Sequence, residues 1–451
     1  MRKLFGKIHL WLSIPVGIIL SIICFSGAAL VFEKEITQAC NPHLYKVSVP
    51  EGNADVLPPS QLIARIKEQT ADSLKLTSLQ YSGKADEAAT VTFKNAGRKS
   101  LSVNPYTGEV NGWIEGNAFF QTMRKLHRWL LNPPPQKGAS SVGKMIVGIS
   151  TLLMVVILVS GLVIWWPRTR KALNNRLKVS CRKGWRRFWY DSHVTLGFYS
   201  SLFLLAMALT GLTWSFGWYR SFAYGLFGGN TSKQAQTHGT SLPQGENDAH
   251  AKKGGKKQTD YTAWDKAIQE VQTKYTDYTS LRIEEKKIQV SQGQQLRRTD
   301  TLKFNPKNGE ITETTTYAEV PRAQKLKGWF YAFHTGSWGG IYTKVLYFLA
   351  AFIGGVLPLS GYYLWLKKRS KELQGKFGQI VIMTTFLHQL CFETILRSIQ
   401  TQGVEIHIQP VECFSFYLFI LHLEIQLTVI IARQINDKTS IFLLKQVSQI
   451  A

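Results

Sequence analysis

His9-Leu-Trp-Leu-Ser-Ile-Pro opens an apolar run that reaches Gly27 18 residues later, and His193-Val-Thr-Leu-Gly-Phe-Tyr opens another that reaches Gly211 over the same 18 residues. The echo extends outward from these two stretches. Asn104-Pro-Tyr-Thr-Gly-Glu-Val returns as Asn305-Pro-Lys-Asn-Gly-Glu-Ile, and Ser160-Gly-Leu-Val-Ile-Trp-Trp returns as Ser360-Gly-Tyr-Tyr-Leu-Trp-Leu. Self-similarity of this kind predicts a chain built from two copies of one unit.

Four segments are long and apolar enough to cross a hydrocarbon core roughly 30 Å thick as helices: one within residues 1–32, then 142–166, 194–218 and 342–366. Orientation follows from the basic residues beside them. Arg2, Lys3 and Lys7 precede the first span, nine Lys and Arg with no Asp or Glu fill Pro167 to Tyr190, and Lys367, Lys368, Arg369 and Lys371 follow the fourth. The expected protein is therefore multi-pass, and the location expected for it is a bacterial inner membrane. Its N-terminus and the 167–193 loop are cytoplasmic, and residues 33–141 and 219–341 are periplasmic. The net charge of +25 is then topogenic. With no interleaved basic and aromatic surface it does not point to nucleic acid. Ser26-Gly27-Ala28-Ala29 lacks an A-x-A site, so the first span reads as an uncleaved anchor. The five cysteines form no C-x-x-C pair, which argues against a disulfide framework and against covalent haem through C-x-x-C-H.

Each periplasmic segment has the same internal order. In the first, Pro58 to Glu68 reads as a helix with Ser60 as N-cap, followed by strands at Thr77–Tyr81, Ala89–Phe93 and Lys99–Val103. In the second, Ala263 to Lys274 is the helix, and Leu281–Ile283, Lys287–Val290 and Thr301–Phe304 are strands. Both read as small α+β modules. Residues 229 to 258 form a Gly-, Lys- and Gln-rich linker. Residues 367–451 comprise a basic stop and an atypical tail; from about Gln374 the tail has no counterpart in the first half and carries no function in this reading.

Four histidines fall at matching places near the span ends. His9 and His193 open the first and third spans at the inner face, while His127 and His334 lie just before the second and fourth at the outer face. A histidine at a helix end is ordinarily an interfacial or hydrogen-bonded residue; the matched positions carry the metal reading. Both halves cross in the same sense, so a two-fold axis along the membrane normal sets His9 opposite His193 and His127 opposite His334. Two facing imidazoles suit a b-type haem, whose iron takes two opposed nitrogen ligands. Two such pairs stack two non-covalent haems across the bilayer. Zinc fits less well, since neither layer supplies the three or four ligands it usually takes. Arg124, Arg128, Lys325 and Lys327 flank the outer pair as possible contacts for haem propionates or an anionic metal chelate. The small pairs Ser26-Gly27, Ser160-Gly161, Thr210-Gly211 and Ser360-Gly361 suggest close helix approach, or room for a macrocycle. No Walker or Rossmann fingerprint occurs, so electrons would come from a membrane quinol or a separate reductase.

Over roughly residues 1 to 372 the chain resembles the PepSY-associated transmembrane proteins, also called iron-regulated membrane proteins, which include ferric-siderophore reductases. The resemblance rests on Lys7-Ile-His-Leu-Trp, the paired Asn-Pro-x-x-Gly-Glu turns, Leu126-His-Arg-Trp, Asp191-Ser-His, the Ser-Gly-x-x-x-Trp helix ends and Phe333-His-Thr-Gly. It implies PepSY-like outer modules, two bis-histidine b haems held by His9, His127, His193 and His334, and outward electron delivery to chelated Fe(III). The expected fold is thus a four-helix transmembrane bundle from two parallel repeats with two periplasmic α+β modules, and the expected activity is ferric-siderophore reduction. Two other readings stay open: a non-enzymatic membrane protein whose modules restrain a periplasmic partner, and a cytochrome subunit of a larger quinol-linked complex.

Overall fold

The computed structural model describes residues 1–51, 55–70, 74–136, 139–229, 261–293 and 298–372. The tail from 374 and nearly all of the 229–258 linker lie outside them. The chain divides into two compact units, Met1–Gly361 and Tyr362–Ala451.

Among the described residues four helices are long and apolar enough to cross a membrane: α1 (Arg2–Val31), α6 (Val142–Trp165), α8 (Trp185–Ser215) and α12 (Gly340–Glu372). Two start earlier than their apolar runs. Basic residues with long aliphatic stems are good helix formers, so α1 begins at Arg2 and α8 at Trp185. His9 and His193 consequently lie about two turns inside their helices rather than at the first residue. Close packing of the spans uses glycines other than the four expected. Gly354 abuts Leu204 and Cys24, Gly355 abuts Phe25, and Ser21 donates to the Gly355 carbonyl at 2.8 Å.

Shorter helices join the spans to the rest: α2 (Glu33–Cys40), α3 (Pro42–Tyr45), α5 (Ala118–Trp129), α7 (Arg170–Arg176), α9 (Gly217–Leu226) and α11 (Arg322–Thr335). The remaining two, α4 (Pro59–Gln69) and α10 (Thr262–Lys274), cover a sheet. Its strands are β1 (Leu76–Ser82), β2 (Ala89–Phe93), β3 (Ser100–Val103), β4 (Val110–Ile114), β5 (Ser280–Glu284), β6 (Lys287–Gln292), β7 (Arg298–Phe304) and β8 (Ile311–Thr315). Each four-strand run is an antiparallel meander. The Asn-Pro-x-x-Gly-Glu segments are the β3–β4 and β7–β8 turns: Asn104 and Asn305 each accept from a glycine N–H at 2.9 Å. Gly108 and Gly309 adopt φ +75° and +73° there, a region open mainly to glycine.

The two modules expected from the sequence meet edge to edge. β1 pairs antiparallel with β5, Leu79 opposite Ile283 and Tyr81 opposite Leu281, giving one eight-stranded sheet in the order β4-β3-β2-β1-β5-β6-β7-β8. One core runs under both helices, joining Leu62, Ile63 and Ile66 of α4 and Trp264, Ile268 and Val271 of α10 to inward strand residues. Pairing the two inner edges removes exposed ladder groups that would otherwise template association. Ser60 does not cap α4; Pro58 holds the N-cap position. Instead the Asp265 carboxylate of α10 accepts the Ser60 N–H at 2.8 Å and also its hydroxyl. An acid from one module thus satisfies a first-turn donor of the other, and its charge suits that helix end.

Candidate functional site

The spacing that opened the sequence acquires a meaning on the helix. Eighteen residues make about five turns, so His9 and Gly27 share one face of α1 with Cα atoms roughly 27 Å apart, as do His193 and Gly211 on α8. Each of these two helices presents a histidine near the end leading to the α7 loop and a glycine near the sheet end. The other two histidines come from α5 and α11.

The side chains gather in two layers. His9 and His193 have ring centroids 6.4 Å apart with planes at 87°. His127 and His334 have centroids 6.0 Å apart with planes at 53°. The histidines expected to confront each other are therefore neighbours, in a loop-side pair and a sheet-side pair. Two imidazoles that share one metal, each nitrogen about 2 Å from it, hold their centroids roughly 6 Å apart. Among the described residues no group of three or more His, Cys, Asp and Glu gathers to hold a metal ion, so these histidine donors come in twos.

Every ring is held through Nδ1. His9 Nδ1 lies 2.9 Å from the Ile157 carbonyl and 3.2 Å from Ser160 Oγ; His127 Nδ1 is 2.8 Å from the Ile23 carbonyl. His193 Nδ1 is 2.8 Å from Ser360 Oγ, and His334 Nδ1 is 2.9 Å from the Met207 carbonyl and 3.2 Å from Thr210 Oγ1. A carbonyl can only accept. The hydroxyls of Ser160, Thr210 and Ser360 donate back to carbonyls of their own helices, so each accepts from the ring as well. The network therefore assigns the proton to Nδ1 in all four and leaves the Nε2 lone pair for coordination.

The glycine after each small hydroxyl residue is where the ring edge rests. A methyl on Gly27 would stand 2.8 Å from His127 Cε1, on Gly211 3.1 Å from that of His334, on Gly161 3.2 Å from that of His9, and on Gly361 3.5 Å from that of His193. These glycines are seats for a histidine from a neighbouring helix. The Ser/Thr-Gly pattern is the signal in the sequence for these seats, beside the close approach or macrocycle room it suggests.

Electrostatics favours neutral rings at the sheet side. Burial, then the facing His127, hold His334 down at about 4 against the Met207 hydrogen bond. Burial likewise lowers His127, with Arg128 adding to the effect. Metal ligation requires the neutral form. Trp214 stands edge-on to His334 with centroids 5.1 Å apart. On the loop side, Trp165 lies one turn beyond Gly161 and stacks on Phe198 at 3.6 Å. Its buried indole N–H has no acceptor among the described residues, which fits a bound group that carries one.

The four cations expected near the sheet-side pair differ in their commitments. Arg124 pairs with Glu33 of α2. Lys325 donates to the Ala318 carbonyl at 2.6 Å and lies over the Tyr317 ring. Arg128 rests over Trp129, 4.5 Å from its centroid, and Lys327 has an interaction of its own.

The PepSY-associated TM region profile matches residues 7–368. The chain belongs to this family. It is a multi-pass membrane protein of the PepSY-associated class, and its antiparallel sheet and all but the outermost residues of its four spanning helices fall within the matched region. No curated protein matches the chain. All four histidines, all four glycine seats and the Asn-Pro-x-x-Gly-Glu turns lie inside the family match.

Proposed function

We propose that this PepSY-associated protein is a two-haem electron-transfer protein of the bacterial inner membrane that reduces periplasmic, siderophore-bound Fe(III) with electrons from the cytoplasmic side or the quinol pool. The observation that carries it is the pairing of four imidazoles, each tethered through Nδ1, with ring centroids 6.4 Å and 6.0 Å apart, a separation that suits two ligands of one iron. His9 with His193 would hold one b-type haem and His127 with His334 the other, each supplying a one-electron carrier. The protein's own contribution is to fix the Nδ1–H tautomer, seat each ring on a glycine, and keep the donors to two per layer. A third or fourth side-chain ligand would favour zinc instead. In this reading the chain is two parallel repeats, with its N-terminus and α7 in the cytoplasm and the sheet in the periplasm, as the basic segments require. Arg128 and the neighbouring cations favour an anion near the sheet-side layer.

A reduced-minus-oxidised spectrum of the purified full chain tests the proposal. His127→Ala or His334→Ala is expected to remove half the haem absorbance and His9→Ala or His193→Ala the other half. A colourless protein from haem-replete cells would refute the redox reading and favour a binding role for the sheet. Outward ferric reduction in quinol-loaded vesicles by this polypeptide alone separates a complete reductase from a cytochrome subunit.

A further inference from the structure

Where α8 ends at Ser215, one residue separates it from α9, which begins at Gly217. Its buried face, Ala223 and Tyr224, packs inward, with Tyr224 and Phe227 against Phe330 of α11. The opposite face carries Trp218, Phe222 and Leu226 at helical spacing, 62%, 64% and 72% exposed. A row of three large apolar side chains does not belong in water, and at this position it begins where a spanning helix leaves the bilayer. An amphipathic helix so placed lies in the membrane interface.

A second observation concerns charge on the same side. Arg128 of α5, Lys144 in the first turn of α6 and Arg220 of α9 are all partly buried. The start of α6 packs between the other two helices: Gly143, next to Lys144, abuts the carbonyl of Trp129, next to Arg128, and Gly148, one turn on, abuts Phe216, one turn before Arg220; Lys144 is within electrostatic reach of both arginines. Arg124 lies one turn before Arg128 on the same helix, α5. Glu33 matches the charge of Arg124, but the ion pairs among the described residues include none to Arg128, Lys144 or Arg220. A lysine in the first turn also opposes the helix dipole. Partly desolvated like charges without a carboxylate call for an anion. These cations sit at the sheet ends of the spans, opposite the basic loop segments, so they do not serve to orient the chain.

We infer that α9 and the Arg128–Lys144–Arg220 cluster form a binding site for an anionic phospholipid of the sheet-side leaflet, with acyl chains along Trp218, Phe222 and Leu226 and the phosphate among the three cations. The shared chemistry is a phosphate or carboxylate anion, and continuity with α8 selects the lipid. The site stands whether or not the histidine pairs hold haem.

The test uses the full chain reconstituted in nanodiscs of equal phosphatidylglycerol and phosphatidylcholine, then stripped with detergent, with retained lipid counted by mass spectrometry. Wild type is expected to retain phosphatidylglycerol preferentially. Lys144→Gln and Arg220→Gln should each lower that preference about fivefold, while Lys171→Gln, on α7, should not. Equal retention of both lipids by wild type, or unchanged preference in both variants, overturns the site. So does displacement of the lipid by inorganic phosphate alone, or a loss of haem absorbance in the variants with lipid retention unchanged, which would assign the cations to a soluble anion or a porphyrin carboxylate. A second measurement needs no charge variant. Vesicles with brominated acyl chains should quench the fluorescence difference between wild type and Trp218→Phe, and absence of quenching overturns the placement of α9.

Discussion

Gly27→Ala tests the seating of the histidines most sharply. The added methyl would stand 2.8 Å from Cε1 and 3.0 Å from Nδ1 of His127. Carbon atoms rest at about 3.5–4.0 Å, so the ring must retreat by roughly 0.7 Å or more. Overpacking of this kind typically costs about 1–3 kcal/mol. The retreat also strains the 2.8 Å bond to the Ile23 carbonyl and exceeds the tolerance of about 0.2 Å that metal–ligand distances allow. Gly361→Ala is the matched control, since its methyl meets His193 Cε1 at 3.5 Å, an ordinary contact. Haem per polypeptide, measured on purified protein, should fall by half in Gly27→Ala and hold in Gly361→Ala, with thermal unfolding in detergent recorded alongside. Equal haem in the two variants, or loss confined to Gly361→Ala, would refute the seating argument.

Three further outcomes are expected. Asp265→Ala strands the Ser60 N–H and should destabilise the sheet region by about 1–3 kcal/mol, more than Ser60→Ala does, in denaturant unfolding followed by circular dichroism. Tyr275 donates to Asp300 at 3.0 Å, and burial first, then Asp300, push its hydroxyl up to about 12. A raised folded-state value means stability is intact below the ordinary tyrosine range near 10 and is lost as pH rises from there toward 12; Tyr275→Phe should flatten that loss in an alkaline melting series. Gly309→Ala combines a φ of +73° with a methyl 2.4 Å from the Ala263 carbonyl, whereas Gly97→Ala has a φ of +63° and open space. The first should lower the melting temperature clearly more than the second, and equal shifts would mean that the α10 contact is not felt.

Much of the architecture is written locally. The apolar lengths of the spans, the period-two strands Ala89–Phe93 and Lys287–Val290, and the Asn-Pro-x-x-Gly-Glu turns depend on neighbours close in sequence, and the motifs sufficed to indicate the family that the match over 7–368 establishes. The β4 and β8 strands were not separated from their turns, because Val110–Ile114 and Ile311–Thr315 carry little inward apolar alternation.

The sequence alone determined the four spans, the histidines and the interval of 18 residues from His9 to Gly27 and from His193 to Gly211, because helix length and helix phase are set by one chain segment at a time. Only the tertiary structure decided that Gly27 receives His127 rather than a helix backbone, that Asp265 reaches Ser60 across 205 positions of chain, and that β1 and β5 fuse two modules into one sheet. Gly148 of α6 and Phe216 beside α9 came together in the same way. Such contacts join segments whose separation in sequence carries no information about distance; they arise from how apolar faces dock, and docking is a property of the packed whole.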